Sequence, residues 1–254
     1  MRDAIEKRAP QWKRLGIRVL PYGGDLDKQH PYKLEFIRML LGGLEGYEEG
    51  EELKIECTPV GEISMRVRVS SPKDPEWLVD EKIRMLGTHL AGPIGASLAL
   101  ARILGLSREE IASGLKSLQP IQRRLHLAYA AGGRLLIDDS YNITLDGVKA
   151  ALEVLTRIQR RKIGVFAGIP EGGTESKGIN EELGRIIAPA FTLILLGETP
   201  VSGAVLSGLV ESGFPEANIL RYSEAKNVEA ILAHAAKDGD CIYFSAYDWP
   251  AIYL

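Results

Sequence analysis

The segment from Leu135 to Asn142 reads LLIDDSYN. An apolar run ends in two adjacent carboxylates, followed by a hydroxyl, a phenol and an amide. Carboxylates accept hydrogen bonds from ribose hydroxyls or hold a metal through water, while Ser and Asn orient a phosphate or a peptide. Asp, Ser and Asn also favour helix N-caps. The segment therefore admits two readings: a ligand site built on Asp139, Ser140, Tyr141 and Asn142, or the cap of a following helix. Just upstream stands Gln122-Arg123-Arg124-Leu125. The planar guanidinium fork can clamp a phosphate, or the two Arg are ordinary surface charge. GTHLAGP, from Gly87 to Pro93, sets His89 in a glycine-flanked turn, where a lone His is commonly structural. In GIPEGGTES, from Gly168 to Ser176, Glu171 could stand beside a ligand. Alternatively the glycines serve a turn, and Thr174 or Ser176 caps the next helix.

Other chemistries lack their residues. The sequence contains no GxxxxGK[ST], HExxH or GxSxG segment and no paired CxxC, so a self-contained P-loop nucleotidase is unsupported. No catalytic residue and no metal ligand set is assigned from spacing. Cys57 and Cys241 are far apart in apolar runs and read as inert buried thiols. Lys and Arg total 31 against 34 Asp and Glu, a net charge of -3. That balance gives no global footprint for nucleic acid or an anionic membrane surface. No apolar stretch reaches the ~18 residues of a spanning helix. The start, MRDAIEKRAPQWKR, has charge but no apolar core of a secretory signal. A cytoplasmic protein without a membrane span is the expectation.

The elements that must position these residues follow from pattern. The 254 residues, 45% hydrophobic and 26% charged, suit one large domain or two ordinary ones. Ile17–Tyr22 reads as a strand ending in a turn at Gly23–Asp25, residues 32–41 as a helix, and Gly46–Glu52 as an acidic loop. ELKIECTPV and EISMRVRVS alternate apolar and polar residues about Gly61, the pattern of a hairpin. Pro72–Pro75 is a loop, and Val79–Gly87 a further strand. PIGASLALARILGL is an apolar helix. Ser107 and Glu110 form a capping box opening a second helix that ends near Ser117. Residues 118–124 form a linker. Beyond it, strands at Leu135–Ile137, Ile163–Ala167, Thr192–Leu196, Asn218–Arg221 and Cys241–Phe244 alternate with helices near 144–158, 175–188, 201–212 and 224–236. Such alternation implies right-handed crossovers and a mainly parallel sheet, with ligands at the carboxyl ends of its strands.

In order, GTHLAGPIGASLALARILGLSREEIASGLKSLQP, IQRRLH, LLIDDSYN, VKAALEVL, KIGVFAGIPEGGTES and EELGRIIA resemble the Mur ligases, ATP-dependent enzymes that extend the peptide of peptidoglycan precursors. The resemblance covers about residues 80–245. It is closest to the branch adding D-alanyl-D-alanine, which has a similar DDSYNANP segment. It implies an α/β fold: a Rossmann-like C-terminal domain with a mainly parallel sheet (125–254), preceded by an incomplete α/β central domain (1–124). It implies ATP and Mg as cofactors. His89 would stand at the adenine side, Arg124 at the phosphates and Asp139 at the ribose, with Asn142 continuing the cofactor motif. Ser140, Tyr141 and Glu171 would face substrate. In the family reaction ATP phosphorylates a carboxylate, and an amine attacks the acyl phosphate to form an amide.

The sequence departs from the family at several positions. Leu90 and Pro93 stand where the family has two Asn; Ile143-Thr144-Leu145 replaces Ala-Asn-Pro; Ser245-Ala246-Tyr247 replaces Lys-Gly-Ser. The family's phosphate loop is missing ahead of His89. The expectation is a fragment, a split subunit needing a complementary phosphate-loop subunit or N-terminal part, or a diverged non-catalytic binding or scaffolding module. A UDP-MurNAc-peptide and an amino acid or dipeptide would be the substrates.

Overall fold

A computed structural model describes residues 54–70, 78–103 and 105–246. The strand, turn, helix and acidic loop expected before residue 54, the Pro72–Pro75 loop and Tyr247 lie outside the described residues. One compact unit takes residues 54–56, 67–70, 78–81 and most of 91–115; the second takes 57–66, 82–90 and 116–246.

The alternating runs form β1 (Lys54–Val60) and β2 (Ser64–Ser70), joined to β3 (Leu78–Ile83) in a three-stranded sheet of order β1-β2-β3. On β2, Met65, Val67 and Val69 are buried while Arg66 and Arg68 face out, the period of two that the sequence carries. Helices α1 (Ala91–Ile103) and α2 (Arg108–Lys116) follow. The capping box is present: the Glu110 backbone N donates to Ser107 Oγ at 3.2 Å, and the Ser107 N donates to Glu110 Oε2 at 2.8 Å.

The second unit holds a six-stranded sheet. Its strands are β4 (His126–Ala130), β5 (Arg134–Asp138), β6 (Lys162–Phe166), β7 (Leu193–Gly197), β8 (Ile219–Tyr222) and β9 (Cys241–Ser245), in spatial order β4-β5-β9-β6-β7-β8. All neighbours are parallel except the β4–β5 hairpin. The four internal strands are buried nearly end to end, as strands covered on both faces must be. Helices α3 (Leu145–Leu155), α4 (Ser176–Ile187) and α5 (Ser202–Glu211) pack Val148, Leu155, Leu183, Ile187, Val205 and Leu209 into one core with Leu135, Ile137 and Tyr243. Helix α6 (Ala225–Ala235) covers the other face through Val228, against Leu136, Val165 and Phe244. The chain advances β5-β6-β7-β8 and then returns through α6 to insert β9 between β5 and β6.

Helices α4 and α5 cross at Gly184 and Gly208. A Cβ on Gly184 would meet the Val205 carbonyl, and one on Gly208 the Glu181 carbonyl, so the two backbones approach as only glycine allows. At the opposite end of the sheet from Asp138, Arg160 pairs with Glu62 at 2.8 Å and donates to the Gly133 and Gly239 carbonyls.

The mostly parallel α/β sheet expected for the C-terminal residues is present. The antiparallel edge strand β4 lies outside the strands that the sequence pattern predicts. Its HLAYA sequence is half-buried over most of its length and carries no clean alternation.

Candidate functional site

Strand β5 ends at Asp138, and the next residues stand at the carboxyl edge of the sheet, where parallel α/β sheets take ligands. Asp138 is buried and turned to local work: its Oδ1 accepts from the Ser140 N at 3.1 Å and from Ser140 Oγ at 2.6 Å. Asp139 continues the β5–β9 ladder, its N donating to the Phe244 carbonyl at 2.9 Å. Its carboxylate does not cap the next helix. Oδ1 accepts from the Leu125 N at 3.1 Å, and Oδ2 accepts from the Tyr243 hydroxyl at 3.0 Å. The cap of α3 is Thr144, whose Oγ1 accepts from the Gly147 N at 3.1 Å. Of the two readings of LLIDDSYN, the helix cap thus falls to a residue beyond the motif.

The two arginines of the linker face different ways. Arg123 has φ 63°, and Leu125 has φ 45°, both in the left-handed region that ordinary residues avoid. This backbone turns Arg123 onto the strand end: Nε donates to Ser140 Oγ at 2.9 Å and Nη2 to the Ser140 carbonyl at 2.8 Å, while the Tyr141 N donates to the Arg123 carbonyl at 3.1 Å. Arg124 is exposed, its guanidinium carbon 4.6 Å from the centre of the Tyr141 ring.

A cavity of about 500 Å³ opens beside these groups, within the second unit. Leu86, Leu90, Pro120, Ile121 and Leu125 give it an apolar wall. His89, Arg124, Asp139, Asn142, Thr144 and Asp146 supply the polar groups. An apolar wall with a few convergent polar groups is the usual make-up of a small-molecule site. Gly87 has φ +97°, and a Cβ there would strike the His89 ring, so this turn requires glycine to seat the imidazole.

Burial pushes the Asp139 carboxyl up to about 6, with the Asp138 charge adding to the rise; the Tyr243 hydroxyl, the Leu125 amide and the Arg124 charge pull the other way. Burial also drives the Tyr243 phenol well above its ordinary value, and the neighbouring Asp139 charge reinforces this. The phenol therefore stays protonated and donates.

Four of the expected site residues, His89, Arg124, Asp139 and Asn142, line one cavity. Ser140 is fully buried beneath it, its hydroxyl committed to Asp138 and Arg123. Tyr141 is 56% exposed under Arg124. Glu171 is exposed in the loop after β6 and does not line the cavity. In that loop, neither Thr174 nor Ser176 caps α4: the N-cap position is Glu175, without a side-chain bond. Asn180 holds the loop instead, accepting from the Ile169 N at 2.7 Å and donating to the Ile169 carbonyl at 2.9 Å. Tyr243 is the site residue that sequence reasoning missed. The one available signal was a phenol inside the apolar run CIYF.

Among the described residues, no group of three or more His, Cys, Asp or Glu could hold a metal ion. Nor is any described helix long and apolar enough to cross a membrane.

No protein-family model matches the chain. Curated relatives do. The chain is similar to the UDP-N-acetylmuramoyl-tripeptide–D-alanyl-D-alanine ligase of Bacillus subtilis, 28% identical over 171 residues, covering 65% of this chain and 36% of the relative. The corresponding Escherichia coli ligase is 30% identical over 111 residues, covering 44% and 25%. Both relatives are Mur ligases. The fold agrees. The structure of a MurF ligase from Thermotoga maritima in complex with ADP superposes with a TM-score of 0.62 at 23% identity, over 79% of this chain and 44% of that one. The chain spans about a third or less of the length of the two Mur ligases it matches in sequence. Nothing in the comparisons supports the reading as a non-catalytic module.

Proposed function

We propose that this chain carries the nucleotide side of a Mur-ligase-type active site in peptidoglycan precursor synthesis. The reaction is ATP-dependent amide-bond formation that adds D-alanyl-D-alanine, or another amino acid, to a UDP-MurNAc-peptide in the cytoplasm. The observation that carries the reading is the meeting of Asp139 and Arg124 on one apolar-walled cavity at the carboxyl edge of the sheet.

The chemistry of those groups supports a nucleotide. The Asp139 carboxylate accepts hydrogen bonds from sugar hydroxyls, and the Arg124 fork donates to phosphate oxygens. Leu90, Pro120 and Ile121 offer apolar surface to a base, with His89 and Asn142 at its polar margin. Ser140 holds the strand end, and the exposed Tyr141 and Glu171 face the incoming substrates. ATP, when bound, supplies the phosphoryl group that activates a carboxylate for attack by an amine. The chain's own residues bind and orient the nucleotide, which converts a bimolecular encounter into a positioned one. Division into an incomplete central domain and a C-terminal domain at 124/125 belongs to this reading. The 254 residues hold no GxxxxGK[ST] segment, and this reading assigns the phosphate loop to a complementary subunit or an N-terminal part.

Phosphate release from ATP in the presence of UDP-MurNAc-tripeptide and D-alanyl-D-alanine tests this. The chain by itself is expected to turn over weakly or not at all, and a phosphate-loop part added in trans to restore release. Robust turnover by the chain alone contradicts the division of labour. No release in the reconstituted mixture contradicts the ligase reading.

A further inference from the structure

Tyr243 brings a hydroxyl into the apolar core of the sheet. It is fully buried, on β9, in an aromatic cluster with Phe166 at 5.8 Å and Phe191 at 6.0 Å between ring centroids. A phenylalanine would fill that cluster without bringing a polar atom into it. A buried hydroxyl is tolerated when it reaches a hydrogen-bond partner, and this one reaches Asp139 Oδ2 at 3.0 Å across the β5–β9 pairing.

The two partners of Asp139 divide its carboxylate. The Leu125 N takes Oδ1 and the Tyr243 hydroxyl takes Oδ2, so the plane of the group is fixed from both sides. Each oxygen keeps a second lone pair for a ligand. Both partners are donors, and donors favour the charged form of a carboxylate. Around Asp139, Asp138 on the same strand opposes its charge, and Arg124 from the linker favours it. His89 and Asp146 line the same cavity from the turn before α1 and the start of α3.

We propose that Tyr243 is a positioning residue of the site: its buried hydroxyl holds Asp139 ionised and oriented toward the cavity, so that the carboxylate just beyond β5 accepts the sugar hydroxyls of a nucleotide with help from β9. The inference rests on the nucleotide reading for its ligand, but the pairing itself is separable from it. Phenol and carboxylate form one unit, and the phenol acts through the carboxylate without touching the ligand.

Tyr243→Phe in the full chain tests it, with two readouts. The first needs no ligand: the carboxyl ¹³C titration of Asp139, assigned by its loss in Asp139→Asn. Removing the donor is expected to move the midpoint from about 6 to about 7, the scale of one charge-assisted hydrogen bond. An unchanged midpoint overturns the proposal. The second is ATP affinity against pH. The Phe variant is expected to bind about fivefold more weakly than wild type at pH 6 and within about twofold of it at pH 8.5, where both carboxylates are ionised and only the lost hold on Oδ2 separates them, Oδ1 being kept by the Leu125 N. Equal weakening at every pH would mark a packing defect and also overturn it. A wild-type chain that binds no ATP at any pH overturns the nucleotide reading, while the carboxyl titration still decides the pairing.

Discussion

Arg123 grips Ser140 twice, through Nε to the hydroxyl at 2.9 Å and Nη2 to the carbonyl at 2.8 Å, and so leaves Arg124 as the arginine that faces the cavity. Ser140 passes the contact on to Asp138, so the strand end is held by an arginine, a serine and an aspartate in series. The two neighbouring arginines should therefore fail differently. Arg123→Ala leaves a buried serine with one partner fewer and is expected to lower stability by about 1–3 kcal/mol. Arg124→Ala leaves stability nearly unchanged, because the side chain is exposed, and weakens ATP binding by about 1–3 kcal/mol. Urea melts and calorimetry on the two variants check the split.

Thr144 and Asp139 separate in the same way. Thr144→Ala removes the cap of α3 and should cost about 1 kcal/mol of stability, with ATP affinity within twofold of wild type. Asp139→Ala should weaken ATP binding by about 1–3 kcal/mol. If Asp139→Ala leaves affinity intact, the carboxylate has no part in the site.

Asp139 also predicts a pH dependence of stability. Its folded value of about 6 lies above the ordinary aspartate value of 3.8, so between those limits the folded chain binds more protons than the unfolded one. The contribution is complete below about pH 4 and is lost as pH rises through 6, amounting to at most about 3 kcal/mol. Asp240 works with the opposite sign. Burial alone would raise it, but the Arg161 fork at 2.7 Å and the Lys237 amide bring it below the ordinary range. Its contribution is present above that range and is lost as pH falls through the lowered value. Chemical melts between pH 3 and 8 should show the Asp139 slope vanish in Asp139→Asn and the acid-side loss shrink in Asp240→Asn.

Gly208→Ala should destabilise the second unit by about 1–3 kcal/mol, because the added methyl meets the Glu181 carbonyl and not a movable side chain. The thermal midpoint reads this out. An unchanged midpoint would mean that α4 and α5 separate freely at their crossing.

Much of this was legible in the sequence. Ile163–Phe166 and Ile194–Leu196 are buried on both faces, so they read as unbroken apolar runs, and the helix between them carries its own period. LLIDDSYN marks a strand end because the run stops at charge. The rest depended on contacts that spacing does not encode. Tyr243 stands 104 residues from Asp139, and only the β5–β9 pairing brings them together. Arg123 and Arg124 are identical as letters, and the positive φ at Arg123 and Leu125 decides which one faces the cavity. Edge strand β4, paired on one side alone, has too little burial to write a pattern.

The central claim is that Asp139 and Arg124 hold one nucleotide. The most direct measurement is calorimetric titration of ATP into the wild-type chain at pH 8, repeated with Asp139→Ala, Arg124→Ala and the double variant. The account predicts saturable one-to-one binding by wild type, a loss of about tenfold or more in each single variant, and a further loss in the double variant. Wild type that takes up no ATP, or single variants that bind as wild type does, would contradict it.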